Sequence, residues 1–274
     1  MKIIERLKED YAKVKDKPTK EKIGFFWDYY KIPFICIVLV LAFMIQTGVS
    51  LANQKKIVFS GVLLNCKVLV KEDPFLDGFY EYAGIDGSEE TAAVYSDMLL
   101  IKENKEVSLN TIQRILAGIY AKDTDFLGGD AEAFQTCAYH SGEILYNLEN
   151  FLKPEALEML SGRLYYADRY IIKEIQKPVG EQVEPDALVY PANPKDPSTM
   201  KEPIPVGIDV SDRTAFKEAY YAENEVVFLG VVANTPREEV TRQFLSYLFP
   251  EIPAELFINP TEPTVNPTGS LAPA

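Results

Sequence analysis

The residues best suited to chemistry lie in "DTDFLGGDAEAF", where Asp123, Asp125, Asp130 and Glu132 fall within ten residues of one another. Carboxylate pairs can carry general acid/base work, and denser clusters can hold metal ions. The spacing does not fit the D-x-[DN]-x-[DN]-G loop that wraps calcium, so a solvated acidic turn is expected here and no metal. His140 is the only histidine. It falls at an expected helix end, where an imidazole meets the terminal carbonyls without needing a ligand. No GxxxxGK[ST], HExxH, CxxC or GxSxG pattern occurs, so the sequence calls for no cofactor and no enzymatic activity. A hydrolase built on a carboxylate pair is kept only as a third reading.

The elements that must position these residues alternate between strand and helix. "IVFSGVLLNCKVLV" is a β-branched run that reads as a buried strand. "DPFLDGFYEYAG" follows as a helix with Asp73 at the cap, Pro74 in the first turn and Gly84 as the stop. "TAAVYSDMLLIK" reads as the next strand. In "SLNTIQRILAGIYAK", Ser108 is the expected cap, and Ile112, Ile115, Leu116 and Ile119 share one helical face. A short strand then ends at Gly128-Gly129 in a tight turn, and Asp130 caps a helix carrying Ala133, Phe134 and Cys137. That order puts Asp130 at the carboxyl end of a strand, the edge where open α/β sheets bind ligands. The plain alternative is that Asp130 only caps its helix.

Further along, "LYNLENFLKPEALEMLSG" reads as two short helices broken at Lys153-Pro154, and "RLYYADRYIIKEI" as one long alternating strand. Seven prolines between Gln176 and Pro205 mark a functional flap or a surface excursion, too long for a simple connection. Order returns in the strand "VGIDVSD", the helix "RTAFKEAYYA", the strand "VVFLGVVANT" and a helix from Pro236 to Leu248 capped by Thr235. Counting Pro250, six prolines lie from there to the end, and residues 259–274 read as a disordered tail.

Ahead of this α/β body lies a different kind of segment. Ile32 to Ala52 holds 21 residues without a charge, enough helix to cross a hydrocarbon core of about 30 Å. The strictly apolar part, Ile32 to Ile45, is also as long as a signal-peptide core, and Ser50-Leu51-Ala52 resembles a cleavage site. A retained anchor is the better expectation. The lead of 31 residues is long for a signal, and Phe25, Phe26, Trp27, Tyr29 and Tyr30 form a belt of the kind found at headgroup level. Lipidation of Cys36 is disfavoured, because it lies near the start of the apolar run behind Ile35.

Charge sets the expected orientation. Residues 1–31 hold nine Lys/Arg against six Asp/Glu, and the chain after Gln54 holds 19 against 35. By the positive-inside rule the N-terminus is cytoplasmic and the body extracytoplasmic, giving a single-pass protein of the cell membrane with the lipid bilayer as its first partner. A body of charge −16 repels phosphate backbones, so nucleic acid is not an expected partner. Ile4, Leu7, Tyr11 and Val14 form one stripe of a short cytoplasmic helix that Pro18 ends. Cys66 and Cys137 either pair or remain two buried thiols, and their spacing leaves both open.

Three segments, "DFLGGDAEAF", "PVGIDVSDRTAF" and "VVFLGVVANTPREEVTRQFLSYL", taken in order, resemble type 2 periplasmic-binding-protein-like chains, the fold of extracellular solute-binding proteins. Together with "KEKIGFFWDYYKIPF" they are similar to a membrane-anchored, uncharacterised group from Gram-positive bacteria. The resemblance implies an α/β domain over residues 57–250 that binds a small polar solute between two lobes. The loops at Asp130 and Asp209 would face the cleft, with room for only a reduced second lobe. A concave site drawing on Asp130, Tyr166, Asp168, Tyr190 and Asp209 would mark a receptor. A filled cleft with exposed apolar patches would mark a scaffold or accessory subunit that meets envelope or transporter proteins.

Overall fold

The computed structural model describes residues 11–13, 15–53, 55–67, 73–101, 105–140, 142–178, 180, 181, 183, 188–221 and 225–256. The expected tail over 259–274 and most of the N-terminal stripe lie outside them. The chain divides into two units, Met1–Lys55 and Lys56–Ala274.

The first unit is dominated by one helix, α1 (Thr19–Ala52), which runs unbroken through Pro33. At about 1.5 Å per residue its 34 residues span roughly 50 Å, longer than a hydrocarbon core of about 30 Å. Among the described residues it is the one helix long and apolar enough to cross a membrane. The aromatic belt is organised by helical spacing: Phe25 packs on Tyr29 with ring centres 4.6 Å apart, and Phe26 stacks on Tyr30 at 5.9 Å.

The second unit is a six-stranded mixed sheet in the order β2-β1-β3-β6-β5-β4. The strands are β1 (Lys56–Leu64), β2 (Glu90–Met98), β3 (Phe126–Asp130), β4 (Leu164–Asp168), β5 (Pro203–Asp209) and β6 (Val227–Val231). β1, β2 and β3 run parallel, and each remaining neighbouring pair is antiparallel. The helices are α2 (Pro74–Ala83), α3 (Lys105–Tyr120), α4 (Ala131–His140), α5 (Pro154–Met159), α6 (Arg169–Gln176), α7 (Thr214–Tyr220) and α8 (Glu238–Leu248). Among the described residues there is one sheet and no second lobe of comparable build.

The period-2 alternation of the strands divides the core into two layers. Phe59, Leu63, Phe126 and Leu229 face one cluster, which Phe75 and Phe79 of α2 and Phe244 of α8 complete. Val62, Leu64, Leu127 and Phe228 face the other, closed by Ile115 of α3, Phe134 of α4 and Ile172 of α6. Cys66 packs at the edge of the first layer and Cys137 inside the second, and both are free thiols. Burial pushes the Cys66 thiol up to about 11 and the Cys137 thiol to about 12, so neither forms a thiolate near neutrality.

Helix α2 follows its sequence signals: Asp73 accepts from the Leu76 N–H at 3.0 Å, and Gly84 takes the left-handed C-cap conformation at φ 66°. Four other expectations need correction. The strand read over 57–70 ends at Leu64 among the described residues, because Asn65 turns left-handed at φ 56°, and its last part, 68–70, lies outside them. Gly128 and Gly129 lie within β3 and form no turn. A Cβ on Gly128 would come within 2.7 Å of the Leu63 side chain, and one on Gly129 within 3.2 Å of Leu64 Cβ, so close packing explains the pair.

"RLYYADRYIIKEI" is not one strand. It turns into α6 at Arg169, because Asp168 accepts the Tyr170 N–H at 3.0 Å as an N-cap, and Ile171 and Ile172 bury a helical face. Finally, neither hydroxyl residue caps as expected. Ser108 lies inside α3 and exchanges hydrogen bonds with the Ile101 backbone at 3.0 and 2.8 Å. Thr235 donates to Asp125 and accepts the Arg237 N–H at 3.1 Å, while Arg237 holds the cap position and α8 begins at Glu238.

Candidate functional site

The strand directions place the candidate residues on two opposite edges of the sheet. Asp130 pairs with Val227 and Asp209 with Phe228, so both stand where β6 begins, one strand on either side of it. Two strand spacings put them roughly 10 Å apart. Asp168 pairs with Pro203, where β5 begins, at the other edge. Tyr166 sits in mid-strand, pairs with Pro205 and packs against the first core layer.

At the Asp130/Asp209 edge the polar side chains bind one another and the backbone. One Asp130 oxygen accepts the N–H groups of Glu132 and Ala133 at 3.1 and 2.8 Å, which caps α4. The other accepts from Asn65 Nδ2 at 2.7 Å. Asn65 also exchanges hydrogen bonds with the Leu100 backbone at 2.8 and 3.1 Å, so one left-handed residue joins the ends of β1, β2 and β3. Asp209 accepts from Lys195 Nζ and from Ser211, whose N–H lies at 2.8 Å. Ser211 Oγ in turn accepts the Val227 N–H at 2.9 Å. Burial alone would raise the Asp209 carboxyl; the Lys195 ammonium and the Ser211 donors outweigh it and hold the group below the usual carboxylate range. Asp130 and Asp209 therefore act as two separate latches, too far apart to share a proton.

The acidic cluster read from the sequence is also pulled apart. Asp125 precedes β3 and Asp130 ends it, and Asp125 is fully buried. Its carboxylate accepts from the Ser60 N–H at 2.7 Å, from Thr235 Oγ1 and from Arg237 Nε at 2.8 and 3.0 Å. This ion pair fastens β1 and β3 to the entry of α8. Among the described residues no group of three or more His, Cys, Asp or Glu has the geometry to hold a metal ion.

The opposite edge is built differently. Asp168 is buried, and its carboxylate collects three backbone N–H groups: Tyr170 at 3.0 Å, Glu202 at 2.9 Å and Lys201 at 2.8 Å. Its own N–H donates to Tyr139 Oη at 3.0 Å. Burial pushes the Tyr139 hydroxyl up to about 12, so it remains protonated. Tyr190 stands edge-on to the Tyr139 ring with centres 5.1 Å apart, and burial raises its hydroxyl too. One carboxylate thus starts α6 and draws the chain at 201–202 back against it.

Between α6 and the returning chain lies a cavity of about 590 Å³. Tyr170, Ile171, Leu188, Val189, Tyr190, Pro191 and Ala192 give it a largely apolar wall, and Asp168, Asn193, Thr199 and Lys201 supply the polar groups. Asp168 is spent on the backbone, and the Asn193 carboxamide oxygen accepts the Lys195 N–H at 3.1 Å. Lys201 Nζ rests 3.7 Å from the centre of the Tyr170 ring. Among the described residues no carboxylate lies within ion-pair distance of it.

Of the five expected site residues, the structure brings Asp168 and Tyr190 to one cavity. It sets Asp130 and Asp209 together at the other edge and leaves Tyr166 in the packing. Sequence reasoning missed Tyr170, Asn193 and Lys201. Asp168 followed by the 171/172/175 isoleucine pattern could have revealed α6, but the return of Lys201 across 33 residues carries no local signal. No family model, curated protein or solved structure matches the chain.

Proposed function

We propose that the protein is a membrane-tethered, extracytoplasmic binding domain, with α1 as a single-pass anchor and a small ligand held in the cavity beside β4 and α6. The observation that carries this reading is the cavity itself. Its volume falls in the range of small-molecule sites, and a buried carboxylate fixes its wall, so the site is formed before any ligand arrives. The reading departs from two-lobe closure around a polar solute. The wall is mainly apolar, and the carboxylates once expected to grip a solute are bound within the protein. Orientation with the body outside rests on the basic N-terminal segment and the acidic domain. A thermal-shift screen of the full chain in nanodiscs, against amphiphilic acids, amines, peptides and sugars, tests the reading. A rise in the unfolding midpoint with one class supports it, and no rise with any class overturns it.

A scaffold reading has its own supporting observation. β2 is an outer strand of the sheet, and Tyr95, Leu99 and Ile101 on and just beyond it are exposed. A photo-crosslinking residue at Tyr95 that yields a discrete adduct in membranes, together with a silent ligand screen, would favour this second reading.

A further inference from the structure

We infer that the cavity selects ligands carrying a single carboxylate on an aromatic or aliphatic body, with Lys201 as the specificity-determining cation. The inference rests on the binding-domain reading above and adds the ligand's chemistry to it. Three features point the same way. First, the two aromatic rings, Tyr170 and Tyr190, and the neighbouring apolar side chains offer a surface for a flat or branched apolar body.

Second, the charged and amide groups left to a ligand are donors. The Asp168 carboxylate already accepts three N–H groups, and the Asn193 oxygen accepts from Lys195, which leaves, among the described residues, Asn193 Nδ2 and Lys201 Nζ beside hydroxyls that can donate or accept. Third, Lys201 lies over the Tyr170 ring at 3.7 Å, with no acidic partner among the described residues, in a domain whose charge is −16. Such a domain repels anions at a distance, and a multiply charged anion most. One cation with one neutral donor suits a monoanion. An amine would meet Lys201 with like charge, so the same geometry rejects the cationic counterpart.

The backbone N–H of Lys201 holds the cavity wall to Asp168, and its side chain faces the ligand space. Replacing the side chain therefore tests charge without removing the latch. The experiment is saturation-transfer NMR on the full chain in nanodiscs, with Lys201→Met in identical discs as the reference. The probes are 3-phenylpropionate, N-acetylphenylalanine as a mimic of a peptide C-terminus, the amide of each, and 3-phenylpropylamine.

The expected result is binding of at least one acid about tenfold tighter than its amide, the preference lost in Lys201→Met and kept in Lys201→Arg. Tighter binding of 3-phenylpropionate would identify a free acid as the ligand, and tighter binding of N-acetylphenylalanine a peptide terminus. Lys201→Gln serves as a second neutral variant should Lys201→Met fail to fold. Equal binding of acid and amide, a preference that survives in the neutral variants, or preferred binding of the amine would overturn the inference and leave the binding-domain reading standing. Absence of binding by every probe would overturn the inference, while a class outside these probes that shifts the unfolding midpoint would keep the broader reading.

Discussion

The two edges of one sheet use the same residue types to different ends. At the edge of Asp130 and Asp209, each carboxylate meets a side-chain donor and the backbone of its own loop, and together they tie off the strand ends. At the edge of Asp168, a carboxylate also accepts from its own helix start, but its other two donors are backbone N–H groups from a chain segment 33 and 34 residues away. That segment stands off from α6 and leaves a cavity. A carboxylate at a strand end is therefore no guide to a binding site. What matters is whether its distant partners are side chains, which close the edge, or backbone N–H groups of a returning segment, which can frame a space.

The largest effect is expected where the core, and not either site, is disturbed. Arg237→Met leaves the fully buried Asp125 with two neutral donors and no countercharge. Urea unfolding should show a loss of about 3 kcal/mol or more, because a buried charge stripped of its partner keeps its desolvation penalty. A loss below about 1 kcal/mol would mean that Asp125 is not the fixed point from which β1, β3 and α8 are hung.

Asp168→Asn should rank second, at about 2 kcal/mol, since the carboxamide can accept on one side only and presents an N–H where a donor already points. This variant sharpens the contrast between the edges. Amides 170 and 201–202 should lose hydrogen-exchange protection together although they are far apart in sequence. At the other edge, Asp130→Ala should cost about 1 kcal/mol, the usual value of an N-cap, with faster exchange confined to the start of α4 and the Asn65 turn. If both substitutions loosened only their own helix starts, the distinction between side-chain and backbone latches would fail.

Much of the architecture was legible because local chemistry and tertiary structure agree. The Asp73-Pro74 start and Gly84 stop of α2, the break at Lys153-Pro154 and the apolar face of α3 all appear as read. The failures lie where one residue type serves two structures. Alternating residues in "RLYYADRYIIKEI" satisfy a strand up to Asp168 and a helix after it, and only the cap separates them. Thr235 and Ser108 look like caps, but the Thr235 hydroxyl donates to the distant Asp125, and Ser108 lies inside α3 bonded to the Ile101 backbone. Of the site, Asp168 and Tyr190 were legible as candidates. Lys201 was not, because its role depends on a carboxylate elsewhere being used up.

The smallest effect is a pH dependence confined to the closed edge. Asp209 titrates below an ordinary carboxylate because Lys195 and Ser211 outweigh its burial. A depressed native pKa contributes stability that is fully present above the unfolded-state value near 4, and that is lost as pH falls from there through the native value. Asp209→Asn should therefore match the parent's slope of stability against pH between about 5 and 7. Below about pH 4 it should show a shallower decline, as measured by urea midpoints in matched buffers. Lys195→Met tests the cause. With the ammonium gone, burial is opposed only by Ser211, the native pKa moves back toward its ordinary value, and the acid limb flattens in the same direction. Unchanged acid limbs in both variants would mean that Asp209 is not held ionised by its latch, and that the closed edge owes its order to packing around Phe228 and Val227 instead.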